Sequence, residues 1–209
     1  MIKNIIFDIG NVILNFDYLK VIANYTDNIK EQRFILDNII NSPEWLGYSL
    51  IDTGFITKEE AIQIVQDRTN HVNDNLIHDF WNSYNNYAFV DKNVLDLIKQ
   101  LKKKDYKIYL LSNINEYTFN KVKDSNLFNI VDGYVLSYKV HQVKPYVSIY
   151  KTLINKYNLK VSECLFIDDN ENNINTANML GMSAELVKAD NYEDILRVLN
   201  NSLGFSVNN

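Results

Sequence analysis

Four short runs of contiguous apolar residues constrain this chain more than any other feature: Ile5-Ile6-Phe7, Ile108-Tyr109-Leu110-Leu111, Tyr134-Val135-Leu136 and Leu165-Phe166-Ile167. None alternates apolar with polar residues, so each reads as a strand buried on both faces, and segments of helical period separate them. Such strands belong to a parallel sheet covered by helices on either side. A fifth run, Ala184-Glu185-Leu186-Val187, carries the same signal more weakly. Asp91 can cap a helix carrying Val94, Leu97, Ile98 and Leu101, and Pro145 opens one carrying Ile149, Leu153, Ile154 and Tyr157. Glu171 to Leu180 forms a third, with Ile174, Ala177 and Leu180 inward and Gly181 as its stop. The expected fold class is α/β, a doubly wound parallel sheet.

About a hundred residues separate the first run from the second, against the 30 or so of a single βαβ crossover, so something is inserted there. Residues 17–90 show helix periods and little strand signal: Ile35, Leu36, Ile39 and Ile40; a capping box at Thr57-Lys58-Glu59-Glu60 ahead of Ala61, Ile64 and Val65; then Leu76, Ile77, Phe80, Trp81 and Tyr84. The expected organisation is an α/β core from 1–16 and 91–209, with a small helical cap at 17–90. A length of 209 residues suits one such core with one insertion.

The partners and compartments open to this chain are narrowed by its charge. The net charge is -5, and the one basic run, Lys99 to Lys107, closes an amphipathic pattern, where cations offset the helix dipole; no nucleic-acid partner is expected. No stretch approaches the ~18 apolar residues of a membrane span, and the N-terminus lacks signal-peptide architecture. Cys164 is the single cysteine, set beside an apolar run, so no internal disulfide can form and it reads as a small buried strand residue. A cytoplasmic protein without membrane partners is expected, while the oligomeric state is left open.

The chemistry is carried by what ends each strand, because ligands in open α/β sheets bind beyond the carboxyl ends of the strands. Here those ends are Asp8, then Ser112-Asn113, then Ser137 followed by Lys144, then Asp168-Asp169-Asn170. One such residue is most simply a turn or a cap, but four together point to a site. Carboxylates about 4 Å apart repel by ~4 kcal/mol per pair at an effective dielectric near 20, so Asp8, Asp168 and Asp169 in one cleft need protons or cations. Lys144 supplies one positive charge. The remaining deficit suits Mg²⁺, a hard ion that takes oxygen ligands and often meets phosphate.

Phe7-Asp8-Ile9-Gly10-Asn11-Val12, Leu111-Ser112-Asn113, Ser137 through Lys144-Pro145 to Ile149-Tyr150, and Phe166-Ile167-Asp168-Asp169-Asn170-Glu171-Asn172-Asn173-Ile174 follow one another in an order and spacing specific as a set. Through them the chain resembles the haloacid dehalogenase-like hydrolases, in particular the subfamily with a helical cap after the first motif and a double-Asp fourth motif, and is similar to its bacterial sugar-phosphate phosphatases. The resemblance implies an Asp8 nucleophile that forms an aspartyl-phosphate. It also implies substrate or phosphate contacts from Gly10, Asn11, Ser112, the amide of Asn113 and Lys144, with Lys144 neutralising charge, and Mg²⁺ ligation by Asp8, the Gly10 carbonyl and Asp169. Asp168 fits a supporting place behind the metal or an outer contact to it.

There are two departures from the family pattern. A second aspartate commonly stands two residues after the nucleophile as general acid/base, and here that residue is Gly10. Without a proton donor, the enzyme is expected to favour less basic leaving groups, such as aryl phosphates or sugar 1-phosphates, unless water, a cap residue or the substrate itself replaces the acid. His141 stands where glycine is frequent and reads as an exposed loop residue, and His71 and His78 read as exposed on the cap. The partner implied is a small phosphorylated metabolite. The rival functions are carbon–halogen hydrolysis, which uses the same aspartate without metal, and non-catalytic binding of a phosphometabolite. Trp45, Tyr48 and Tyr87 are candidate cap contacts to a substrate ring, or else core residues.

Overall fold

The structure is a computed structural model and describes residues 1–41 and 49–204. In chain order it contains β1 (Asn4–Phe7), β2 (Leu14–Asn15), α1 (Tyr18–Tyr25), α2 (Ile29–Ile35) with a π-turn at Leu36–Ile40, α3 (Ser49–Asp52), α4 (Lys58–Arg68) and α5 (Asp74–Ser83). A 3-10 turn at Tyr84–Tyr87 leads to β3 (Phe89–Val90), α6 (Lys92–Lys103), β4 (Lys107–Ser112), α7 (Glu116–Val122), α8 (Leu127–Ile130) and β5 (Gly133–Leu136). The chain ends with α9 (Ser137–Val140), α10 (Val147–Tyr157), β6 (Cys164–Asp168), α11 (Glu171–Met179), β7 (Ser183–Leu186) and α12 (Tyr192–Leu203).

All five apolar runs join one parallel sheet in the order β5-β4-β1-β6-β7. Side chains alternate across it. Ile5 and Phe7 therefore pack one way, with Val94, Leu97, Ile98 and Leu101 of α6 and Val198 and Leu199 of α12. Ile6, Leu111 and Phe166 pack the other way, with Ile149, Tyr150 and Leu153 of α10 and Ala177 of α11. Burying each large aliphatic or aromatic side chain contributes roughly 1.5–3 kcal/mol, which is why both faces must be covered. Cys164 lies fully buried in β6, and burial pushes its thiol up to about 11.

The strand order places the topological switch at β1: from it the chain builds outward through β4 and β5, then crosses to β6 and β7. The carboxyl ends of β1, β4 and β6 thus meet where a ligand crevice is expected.

Helices α1–α5 pack around a separate apolar cluster that includes Val21, Ile35, Ile39, Val65, Ile77, Phe80, Trp81 and Tyr84. The chain leaves for these helices and returns through an antiparallel ribbon, Leu14 opposite Val90 and Asn15 opposite Phe89. Strands of two residues carry no periodicity, so the sequence does not announce this ribbon. The capping signals act as read: Thr57 and Glu60 form the reciprocal box at α4, and Asp91 accepts from the Asn93 and Val94 N–H groups. One helix start moves. α10 begins at Val147 rather than Pro145, because the Asn113 side chain holds both backbone groups of Lys144 and Tyr146 stays extended. Among the described residues, no helix is long and apolar enough to cross a membrane.

Candidate active site

Asp8 is the first residue beyond β1 and continues its ladder, donating its N–H to the Ile167 carbonyl at 2.9 Å. Its Oδ1 accepts from the Ile9 N–H at 2.7 Å and lies 2.8 Å from Lys144 Nζ. Lys144 is 4% exposed, and the same ammonium is 2.6 Å from Asp168 Oδ2. Burial opposes charge on this lysine, but Asp168 and Asp8 outweigh it and hold the ammonium above its ordinary range.

Asp168 is fully buried at the end of β6 and surrounded by donors. Oδ1 accepts from the Asn170 N–H at 2.8 Å and from Asn173 Nδ2 at 2.9 Å, while Oδ2 takes the lysine and a second, 3.0 Å contact with Asn173. Asn173 is itself 7% exposed, and one turn of α11 carries it back onto this carboxylate. Asn113 fixes Lys144 from the other direction, donating to its carbonyl at 2.9 Å and accepting from its N–H at 2.8 Å. The Asn113 side chain is thereby committed to the backbone of the Lys144 loop. Ser137 is likewise spent away from the cleft, bonded to both backbone groups of Ile114.

Asp169 completes the acidic group: one oxygen from each of Asp8, Asp168 and Asp169 lies within 4.8 Å of the others. Burial raises the Asp8 carboxyl, with Asp168 and Asp169 adding to the rise and Lys144 opposing it. Burial also raises Asp169, against a hydrogen bond from Asn11 Nδ2 at 3.1 Å. Asn11, at φ 56°, leaves its buried Oδ1 without a partner. Three carboxylates against one ammonium, beside an unpartnered amide oxygen, form a hard oxygen donor set that fits Mg²⁺.

Beside this cluster opens a cavity of about 200 Å³, lined by Ile9, Gly10, Phe16, Ser112, Asn113 and Ile114 from the core and by Tyr18, Ile40 and Asp52 from the inserted segment. Ser112 is 1% exposed. Gly10 faces open space, since a Cβ built there meets nothing within 4 Å. Asp52 ends α3, half-buried at the cavity wall. Its Oδ1 accepts from Asn115 Nδ2 at 3.0 Å. Asn115 caps α7 through the Thr118 N–H at 2.8 Å, and its amide also reaches Tyr84 Oη at 3.4 Å. Burial pushes the Asp52 carboxyl up to about 7, the Asn115 bond opposing and Asp8 adding to the rise.

Asp52 is not read as a site residue from the sequence, because no local pattern tells which side of an inserted helical segment faces the sheet; nor is Asn115, just beyond β4, because its bond to Asp52 is made only in the folded chain. Trp45 and Tyr48 lie outside the described residues. Tyr87 lines a different depression, with Asp17 and Lys20, and donates to the Asn24 carbonyl. His141 is exposed and adopts φ 53°, as befits a loop, yet it is engaged: its ring stacks on Phe55 at 4.9 Å and its Nδ1 meets the Thr53 carbonyl at 2.9 Å. His71 and His78 are exposed.

A family model for haloacid dehalogenase-like hydrolases matches residues 2–181. The D-ribitol-5-phosphate phosphatase of Bacteroides thetaiotaomicron is 28% identical over 190 residues, 87% of this chain and 89% of that protein. A HAD family enzyme of the same organism, crystallised with magnesium and inorganic phosphate, superposes with a TM-score of 0.68 at 27% identity, covering 91% of this chain and 96% of that one. The L-2-haloacid dehalogenase of Xanthobacter autotrophicus shares the fold at a TM-score of 0.66 and 17% identity, over 97% of this chain and 84% of its own. A five-stranded parallel sheet with Asp8, Lys144, Asp168 and Asp169 at its switch point, in a chain matched by the family model from residue 2 to 181, belongs to the haloacid dehalogenase-like hydrolases.

Proposed function

We propose that this chain is a phosphomonoester hydrolase that forms an aspartyl-phosphate on Asp8, with residues 17–90 acting as a cap over a core of 1–16 and 91–209. The observation that carries the reading is the ammonium of Lys144 held between Asp8 and Asp168, with Asp169 close enough to complete a cation site. Phosphoryl transfer needs little covalent chemistry from a protein beyond in-line positioning and neutralised charge. Here Asp8 Oδ attacks phosphorus while Lys144 offsets the charge shared between carboxylate and phosphate. Asp168, saturated by donors, fixes Lys144 rather than reacting. Ser112 Oγ and the backbone N–H of Asn113 hold phosphoryl oxygens, the Asn113 side chain being already engaged. Asp8, the Gly10 carbonyl and Asp169 would hold Mg²⁺, which when bound would supply positive charge to the phosphoryl oxygens and the nucleophile. Water then cleaves the phosphorus–Asp8 bond and frees inorganic phosphate.

The substrate class we propose is a small sugar or polyol phosphate. The cavity of about 200 Å³ falls below the range usual for drug-sized ligands and mixes apolar walls with Asp52, Asn115 and Thr118. The named activity of the Bacteroides relative, on D-ribitol 5-phosphate, agrees with such a size. Carbon–halogen hydrolysis gains nothing from three clustered carboxylates, which would repel a carboxylate substrate. The test is phosphate release across a panel of sugar, polyol and aryl phosphates, with Mg²⁺ and with chelator. Metal-dependent turnover of at least one small polyol or sugar phosphate is expected; chelator-resistant release of halide from 2-haloacids, with no phosphate released, overturns the reading.

A further inference from the structure

We propose that Asp52 touches the leaving-group oxygen of the substrate and carries the proton there in both half-reactions, from the wall of the cavity that Gly10 also lines. The inference rests on the phosphomonoesterase reading and deepens it. Gly10 can give the backbone carbonyl to a metal but has no proton to give, and no described residue fills the volume where its side chain would project. Gly10 lines the cavity whose wall also holds Ser112, Asn113 and Asp52. Among the described residues of that wall, Asp52 is the one carboxyl and there is no lysine or arginine.

The carboxyl is both oriented and free to act. Asn115, 2% exposed and locked as the cap of α7, fixes Oδ1 at 3.0 Å. Oδ2 has no protein partner among the described residues. The titratable groups that bear on Asp52 are Asp8, whose charge reaches it, Tyr18 on the same cavity wall, and Tyr84, reached through the Asn115 amide. Burial first, then the charge of Asp8, holds Asp52 up to about 7, where a carboxyl both donates and accepts a proton at neutral pH.

In the first half-reaction Asp8 Oδ bonds to phosphorus, the bond from phosphorus to the leaving oxygen breaks, and the proton of Asp52 passes to that oxygen, releasing the alcohol. In the second, carboxylate Asp52 takes a proton from water as the water oxygen bonds to phosphorus. The phosphorus–Asp8 bond breaks, restoring carboxylate Asp8 and protonated Asp52. On this account the enzyme is not confined to good leaving groups, as Gly10 alone would imply.

The experiment measures single-turnover phosphorylation of Asp8, in saturating Mg²⁺, by phosphomonoesters of graded leaving-group pKa, from p-nitrophenyl phosphate through phenyl phosphate to ribitol 5-phosphate. With Asp52→Asn, which preserves the acceptor for Asn115, the ribitol ester is expected to slow by about 10²- to 10⁴-fold and the nitrophenyl ester by less than about tenfold. The fall in rate on the alkaline side, present in the parent with the ribitol ester, should disappear. Adding Gly10→Asp to Asp52→Asn should restore part of the ribitol rate, which a merely misfolded variant would not show. An equal loss across all esters, as a substrate-positioning role would give, overturns the assignment, and so does an undiminished ribitol rate. Failure of the parent to phosphorylate Asp8 with every ester sinks the phosphatase reading itself, and Asp52 with it.

Discussion

Replacing Lys144 by methionine keeps a stem of similar length against Phe166, whose ring centre lies 5.6 Å from Nζ, while removing the cation in contact with Asp8 and Asp168. At 2.8 and 2.6 Å and an effective dielectric near 20, each contact is roughly 6 kcal/mol of gross attraction, most of it offset by the desolvation of three buried charges. Removing one partner leaves that desolvation uncompensated, for which the expected cost is about 3–5 kcal/mol. For a chain of this length, about 2–4 °C accompanies each kcal/mol, so metal-free Lys144→Met should melt roughly 6–20 °C below the parent at about pH 8. The acidic cluster of the folded variant then binds a proton that the unfolded chain releases at the same pH, so stability rises as pH falls and the gap to the parent narrows towards about pH 5. Mg²⁺ at about pH 8 should narrow it too, by returning positive charge to the same carboxylates. Thermal denaturation of both proteins at the two pH values, with metal and with chelator, reads all of this. Equal melting temperatures in chelator at about pH 8, or a gap that neither acid nor metal changes, would refute the electrostatic account of the site.

Asp169→Ala should weaken Mg²⁺ binding by at least about tenfold, measured by titration calorimetry, and more than Asp168→Ala does, because Asp168 is already occupied by Lys144 and Asn173. Asp52→Asn should make the metal-free protein more stable above about pH 7: the folded state holds the Asp52 proton up to about 7, so the parent loses stability as pH rises from about 4 to 7, by up to roughly 4 kcal/mol, and the amide escapes that loss. Denaturant melts of parent and variant at both pH values measure the difference. Gly54→Ala should cost about 1–3 kcal/mol, since Gly54 sits at φ 69° and an added Cβ collides with the Tyr138 carbonyl. The neighbouring contacts of His141 with Thr53 and Phe55 would be displaced with it, and a lowered melting temperature together with a raised KM is the expected reading.

The parallel sheet is legible because burial on both faces leaves an unmistakable trace: Ile5, Ile6 and Phe7 in sequence, each with no exposed area in the fold. Lys144, Asp168 and Asp169 are legible as a group because strand ends in such a sheet converge by topology, whatever the loops between them do. The committed side chain of Asn113 is not legible, because only the tertiary course of the Lys144 loop brings that backbone within its reach. Nor is Asp52, whose place in the wall of the cavity that Gly10 also lines depends on the packing of the helical segment and not on any period within it. The β2–β3 ribbon escapes notice for a simpler reason, as two residues cannot show alternation.

Every role proposed for Lys144, Asp168 and Asp169 depends on Asp8 becoming covalently phosphorylated. The most direct measurement is acid-quenched mass spectrometry of the protein mixed with a turned-over phosphomonoester and Mg²⁺, followed by mapping of the modified peptide. A single phosphoryl group on the peptide carrying Asp8, abolished by chelator and absent from a folded Asp8→Asn variant, is the predicted result. Steady turnover with no phosphorylated peptide at any quench time, or with undiminished phosphate release by Asp8→Asn, would contradict it.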